Sequence, residues 1–349
     1  MIENIGGPEM AGSEHTPIQT HPPILTPDPI IQIASGFLAA KHLFVANELG
    51  LFEALSDQPK TIDALSQHLS VPARTLRIIA DALVALEILQ KEEGGYSHSA
   101  VSHAFLSGAG TGDLRPFLRF WNRLSYPNWM KLEQAIRGET YRPKQKEWTA
   151  EEGQLFSEGV EAITAGTAEA LAHTYDFSTA RRVLDLGGGT GSFLLAILRS
   201  HGHIQPTLFE QKAVIDVAQK RFKAHPPPHS ISLVAGDFLT DALPEGHDHV
   251  IVANVLHLLS PDNSRKLLTR IRESVSQGGR ILLIDFWTDA THTQPPFAAL
   301  MAGEFLLVSP EGDVYSVEEI REWLTETGWR FVGHRSLAGP ASLIIAETV

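Results

Sequence analysis

Cysteine is absent from the 349 residues. That excludes a disulfide framework, a thiolate zinc site and a cysteine nucleophile. Basic charge is scarce. The chain has 28 Lys and Arg against 41 Asp and Glu, a net charge of −13. Nucleic acid or an anionic membrane needs a concentrated Lys/Arg footprint, so neither is expected as the main partner. An acidic balance is compatible with a cationic ligand. No apolar run reads as long enough to span a membrane, and no basic start followed by an apolar stretch marks a secretory signal. A cytoplasmic protein is expected. The length suggests two domains, or one large domain with additions.

Residues 1–29 also lack Lys and Arg, and hold Pro8, Pro17, Pro22, Pro23, Pro27 and Pro29. They read as a disordered arm. Over 30–110 the pattern becomes that of a winged helix. A helix is expected from Ile30 to Leu49, a short one from Leu51 to Leu55, and a capped one from Thr61 to Leu69. Pro72 to Leu89 reads as an amphipathic helix with Leu76, Ile79, Ala80, Leu83 and Leu86 on one face. Glu92-Glu93-Gly94-Gly95 reads as a hairpin turn. A winged helix raises DNA binding, but the recognition helix has only Arg74 and Arg77, and the wing carries Glu92 and Glu93. Packing against a second copy suits it better, because Phe37, Leu38, Leu43 and Phe44 make the first helix apolar.

Residues 111–180 form a helical connector rich in aromatics. Phe117, Phe120, Trp121, Tyr126, Trp129, Trp148 and Phe156 serve either core packing or an apolar substrate pocket. From 181 to 349 strands and helices alternate: strands at 183–186, 207–209, 231–235, 250–256, 280–285 and 342–347, and helices at 192–199, 213–222, 263–275 and 317–325. That succession predicts an α/β, Rossmann-like doubly wound sheet. Such sheets bind ligands at the carboxyl ends of their strands.

A third glycine is missing where a dinucleotide loop would have one. Gly187, Gly188, Gly189 and Gly191 follow a strand and open a helix, but the next position of the Gly-x-Gly-x-x-Gly pattern is Ser192. Asp185 stands inside the strand end, where a carboxylate suits an ammonium group and repels a pyrophosphate. Glu210 ends the second strand and can accept ribose hydroxyls. Gln211 follows it. Gly236-Asp237-Phe238 follows the third strand. Asp237 can accept from an adenine amine and Phe238 can stack on the ring. Asn254 and His257 close the fourth strand, and Asp285 the fifth. A histidine in an apolar run can be a plain core residue. Here the two strand ends are expected to pair His257 with Asp285, as a general base requires. His247-Asp248-His249 and His201-Gly202-His203 offer no third ligand, so no metal is expected.

On these residues the chain resembles the two-domain, S-adenosylmethionine-dependent small-molecule O-methyltransferases. The likeness spans about 30–349. It rests on Arg182 to Gly191, Ala235-Gly236-Asp237-Phe238, the strand leading to His257, and Gly278 to Asp285. It implies S-adenosylmethionine at Gly187, Glu210, Asp237 and Phe238, His257 as catalytic base, Asp285 as its orienting acid, and homodimerisation through the amino-terminal domain. The family's His-Asp-Trp is His257-Leu258-Leu259 here, and its second supporting acid aligns with Val314, with Asp313 adjacent. The expected activity is methyl transfer to a hydroxyl, phenolic in type, on an apolar small molecule of secondary metabolism. Phe120, Trp121, Tyr126, Trp129, Phe156 and Asp313 are the candidate substrate contacts. C- or N-methylation, a non-methylating reaction (hydroxylation or a pericyclic step) and a DNA-binding regulator remain alternatives.

Overall fold

The computed structural model describes residues 25–110, 112–138 and 149–349. Most of the arm and Trp148 lie outside them. The first helix runs Asp28–Glu48, starting earlier than the prolines suggested. Pro29 falls in its first turn, where a missing N–H breaks no intrahelical bond. This helix also corrects the expectation on membrane length. It has 21 residues, and its most apolar 18-residue stretch has a mean hydropathy of 1.4, long and apolar enough to cross a membrane by length and composition. Ile30, Ile31, Ile33, Phe37 and Leu38 are exposed along it, whereas Phe44 and Ala46 are buried in the amino-terminal core.

Helices Leu51–Ala54, Ile62–Leu69 and Ala73–Ala85 follow, with Thr61 capping the second through Ala64 N–H. The helix expected to reach Leu89 stops at Ala85, and Glu87 takes a φ of 59°. Leu89 instead opens strand β1 (Leu89–Glu92), which pairs antiparallel with β2 (Gly95–His98) to form the wing. Helix Ala100–Leu106 completes a core built on Phe52, Leu65, Leu76, Leu83 and Tyr96.

The connector holds helix Arg115–Phe120, a π-helical turn Trp121–Ser125, and the short helices Tyr126–Trp129 and Leu132–Ile136. A long helix, Ala150–Thr174, then starts from a capping box of Thr149 and Glu152. It leads into the sheet: β3 (Arg182–Leu186), β4 (Gln205–Glu210), β5 (Ser232–Ala235), β6 (His247–Ala253), β7 (Val275–Asp285), β8 (Trp329–Ser336) and β9 (Ser342–Thr348). The spatial order is β5-β4-β3-β6-β7-β9-β8. The first five strands are parallel, and β9 runs antiparallel to β7 and β8. Strand order reverses between β3 and β6, which puts the ligand crevice there.

Neighbouring residues of one strand enter opposite cores. Val183, Ile251 and Leu282 pack with helices Ala150–Thr174 and Ser192–Ser200. Leu184, Val250 and Ile281 pack with helices Pro261–Ser274 and Val317–Glu326. Burial on both faces explains the near-continuous apolar runs of these strands. Among the elements not legible beforehand are helix Ala100–Leu106, edge strand β8, whose register shifts between Phe331 and Gly333, and helix Pro296–Val308, which is apolar but for Glu304 and shows no amphipathic stripe.

The wing is held by one carboxylate. Asp81 accepts from Tyr96 Oη at 2.6 Å, Lys91 Nζ at 2.8 Å and Arg77 Nη1 at 3.0 Å. Arg77 is thereby engaged internally, and Glu92 and Glu93 lie exposed at the wing turn. Lys91 and then Tyr96 bring the Asp81 pKa down to about 2. A depressed carboxylate stabilises the fold above its ordinary pKa, and that contribution is lost as pH falls from about 4 towards 2. Because the group is part-exposed, Asp81→Asn should cost only about 1 kcal/mol at pH 7. Urea unfolding at pH 7 and pH 2 checks this, with the difference from the parent vanishing at pH 2.

Candidate active site

The glycine loop joins β3 to helix Ser192–Ser200, and Gly187, Gly189 and Gly191 all take positive φ. At Gly188 the restriction is steric, because an added Cβ would collide with the Asp185 carboxylate. Asp185 is fully buried, and neither carboxylate oxygen has a hydrogen-bond partner among the described residues. Burial first, and the nearby Glu210 second, raise its pKa to about 7. Burial also raises Glu210, against an opposing hydrogen bond from Gln211 N–H.

Strands β3, β4 and β5 are neighbours, so Asp185, Glu210 and Asp237 rim one end of the sheet. Asp237 Oδ1 caps the turn through Leu239 N–H at 2.8 Å. The Phe238 ring lies beside Gly187, 3.7 Å from where a Cβ would sit. Gly236 packs against Phe209. Asn254 holds a left-handed φ of 56° and donates its N–H to Ile284 O at 2.9 Å, locking the end of β6 to β7.

β6 ends at Ala253, so His257 does not end the strand as expected. It sits in a 3₁₀ turn, Leu256–Leu258, just beyond it. The turn carries the imidazole back over β7. His257 Nδ1 lies 2.6 Å from Asp285 Oδ1, and both residues are buried. Phe286 N–H also donates to that oxygen, at 2.9 Å. The carboxylate therefore selects the tautomer with its proton on Nδ1 and leaves the Nε2 lone pair free. Phe305 stacks on the imidazole at 3.6 Å between centroids and 8° between planes. Phe286 and Phe297 extend this apolar wall.

The other expected substrate contacts disperse. Trp121 packs tilted against Phe117, and Tyr126 packs on Phe44 beneath Lys41, so both serve the amino-terminal core. Phe120 meets Phe156 edge to face. Trp129 donates to Glu304 at 2.6 Å. Asp313 corrects the idea of a substitute acid. Its side chain is exposed with Oδ1 on Val314 N–H, and only its backbone N–H reaches His257 O, at 3.1 Å.

A polar cluster behind the glycine loop was not anticipated. Arg221 donates to Glu161 at 2.6 Å and to Thr190 Oγ1 at 2.7 Å, and Ser192 also bonds Glu161. Burial opposes ionisation of Glu161, but Arg221, Ser192 and Thr190 together hold its pKa below the ordinary value. These residues tie helix Ala150–Thr174 to the loop. Beside them a cleft of about 630 Å³ is lined by Glu161, Thr164, Ser192, Asn254 and Phe286. Neither His257 nor Asp285 lines it, so it adjoins the histidine–aspartate pair through Asn254 and Phe286 rather than enclosing it.

Residues 138–330 match the O-methyltransferase domain, and residues 31–108 match the O-methyltransferase dimerisation domain. The chain belongs to the O-methyltransferase family. It is 30% identical to a 3-hydroxy-5-methyl-1-naphthoate 3-O-methyltransferase of Streptomyces sahachiroi, over 95% of this chain and 96% of that one. It is 28% identical to the tetracenomycin polyketide synthesis 8-O-methyl transferase TcmO of Streptomyces glaucescens, over 94% and 98%. The solved structure of PigF with S-adenosylhomocysteine superposes with a TM-score of 0.80 at 25% identity, over 93% of this chain and all of that one. The family's cofactor is S-adenosylmethionine. The geometry suits it: the two unpartnered oxygens of Asp185 are the buried acceptors that a cationic amino acid would satisfy.

A raised carboxyl pKa stabilises the cofactor-free fold at low pH, and that stability drains as pH rises towards about 7. Asp185→Asn should therefore make the cofactor-free protein more thermostable than the parent at pH 8, with the difference shrinking as pH falls towards about 4. The same variant should bind S-adenosylhomocysteine at least about tenfold more weakly, as loss of a charge-assisted bond demands. Thermal denaturation with and without that ligand reads both effects, and unchanged affinity would remove Asp185 from the site.

Proposed function

We propose that this O-methyltransferase transfers the methyl group of S-adenosylmethionine to a hydroxyl, phenolic in type, on an apolar small molecule of secondary metabolism, with His257 as general base. The observation that carries the proposal is the buried pair of His257 Nδ1 and Asp285 Oδ1 at 2.6 Å, with Nε2 unbonded among the described residues. Both named relatives methylate oxygen on aromatic or polyketide molecules. Phe305, Phe286 and Phe297 offer an apolar wall beside the imidazole.

Bound S-adenosylmethionine supplies an electrophilic sulfonium methyl, whose leaving group departs neutral. Asp185 would receive the cationic amino group, and Glu210 and Gln211 would face the ribose. Asp237, Phe238 and Gly236 would form the adenine wall, and Gly187, Gly188, Gly189, Gly191 and Asn254 would shape the floor. At the acceptor, His257 Nε2 takes the hydroxyl proton as the oxygen becomes nucleophilic. Asp285 stabilises the imidazolium that results, and the face of Phe305 adds a cation–π contribution. The ring's fixed orientation supplies proximity rather than new chemistry.

Residues 30–110 would then serve dimerisation, with the exposed apolar face of helix Asp28–Glu48 against a second copy. Residues 111–180 would border the substrate, and 181–349 hold cofactor and catalytic pair. A cytoplasmic location accords with a chain free of cysteine.

Incubation of the protein with hydroxylated aromatic compounds and methyl-labelled S-adenosylmethionine tests the assignment. Label on oxygen is expected. Label on carbon or nitrogen, or an unlabelled product, overturns it. His257→Ala should lower turnover by on the order of 10²–10⁴-fold while leaving S-adenosylhomocysteine affinity near the parent value.

A further inference from the structure

Helix Pro296–Val308 contains one charged residue, Glu304, and that residue is only 8% exposed. An isolated carboxylate in an apolar helix is costly unless hydrogen bonds hold it. Both bonds come from the connector, far away in sequence. Ser125 Oγ–H donates to Glu304 Oε2 at 2.7 Å, and Trp129 Nε1–H donates to the same oxygen at 2.6 Å. The preceding residue is shaped for this contact: a Cβ on Gly303 would lie 2.9 Å from the Trp129 ring. The following residue is Phe305, whose ring covers His257. Three consecutive residues thus join the connector to the face of the catalytic imidazole.

The connector side is equally constrained. Ser125 is the last residue of the π-helical turn, an irregularity common at functional sites. Asn122, in the same turn, accepts from Lys41 Nζ at 2.6 Å and donates to Glu48 at 3.1 Å. Arg123 also donates to Glu48, at 2.9 Å. The turn is therefore anchored to helix Asp28–Glu48 at one end and to Glu304 at the other.

We propose that Glu304 is a positioning residue for methyl transfer: its bonds to Ser125 and Trp129 set the height of helix Pro296–Val308, so that Phe305 lies flat on His257 and fixes the ring about its Asp285 hydrogen bond. Asp285 holds one edge of the imidazole, which still leaves the ring free to tilt. The stacked phenyl removes that freedom. The role rests on His257 being the base, and concerns how that base is aimed.

The test is a variant series assayed with the acceptor that the labelling experiment identifies. Glu304→Leu removes the clamp without adding a polar group. It should lower kcat by about 10- to 100-fold, the scale of a misplaced catalytic group, with KM for S-adenosylmethionine unchanged. Glu304→Gln keeps an oxygen able to accept both bonds and should retain activity within about threefold of the parent. Ser125→Ala and Trp129→Phe each remove one donor, the second with a smaller ring, and should each fall between those limits. The route through Phe305 is read from a double-mutant cycle. Phe305→Ala alone and Phe305→Ala with Glu304→Leu should be equally slow, because the second change has nothing left to position.

Parent-like kcat in Glu304→Leu overturns the proposal. So does equal loss in Glu304→Gln and Glu304→Leu, which would make charge rather than the clamp decisive, or fully additive effects in the cycle. Should Glu304→Leu fail to fold, Trp129→Phe and Ser125→Ala decide, and parent-like kcat in both overturns the proposal. Failure of the base assignment itself is separate, since it appears as full activity in His257→Ala.

Discussion

A carboxylate removed from water must find donors, find a cation or keep its proton. The catalytic domain is arranged around that constraint. Asp285 finds the imidazole of His257 and the N–H of Phe286. Glu304 finds a hydroxyl and an indole N–H. Glu161 finds Arg221, Thr190 and Ser192. Asp185 finds no donor among the described residues, and its carboxyl is correspondingly reluctant to ionise. The other three acids are satisfied internally, and the unsatisfied one stands beside the glycine loop.

The parallel sheet brings these groups together. With β3 between β4 and β6, the strand ends bearing Asp185, Glu210 and Asp237 lie on one side of the reversal point, and those leading to His257 and Asp285 on the other. Strands β3 and β6 are neighbours, so the two groups of residues stand one strand spacing apart, about 5 Å. The connector is tied to the glycine loop through Glu161, and through Ser125 and Trp129 to Glu304 on the helix that covers the imidazole.

Much of this was legible beforehand because it is local. A glycine loop behind a buried strand, with an acid inside that strand, names its own chemistry. The positions of Glu210, Asp237 and Asp285 at strand ends follow from counting along alternating elements. Failures came where local signals vanish. Helix Pro296–Val308 carries no stripe, so its length and direction were invisible, and with it the stacking of Phe305. Its lone charge at Glu304 was the readable clue. The aromatic connector misled in the opposite way: Trp121 and Tyr126 have the composition of a substrate pocket and the contacts of a core.

The sequence by itself determined the fold class and singled out the glycine loop and the His257–Asp285 pair that the structure brings together, because each depends on residue type at short, fixed spacing. Only the tertiary structure decided how that pair is aimed. The 3₁₀ turn that carries His257 beyond its strand, the phenyl ring that covers it and the carboxylate that sets that ring in place meet across separations as long as 179 residues. Contacts of that range arise from how packed elements cross, and no periodicity along the chain encodes the crossing.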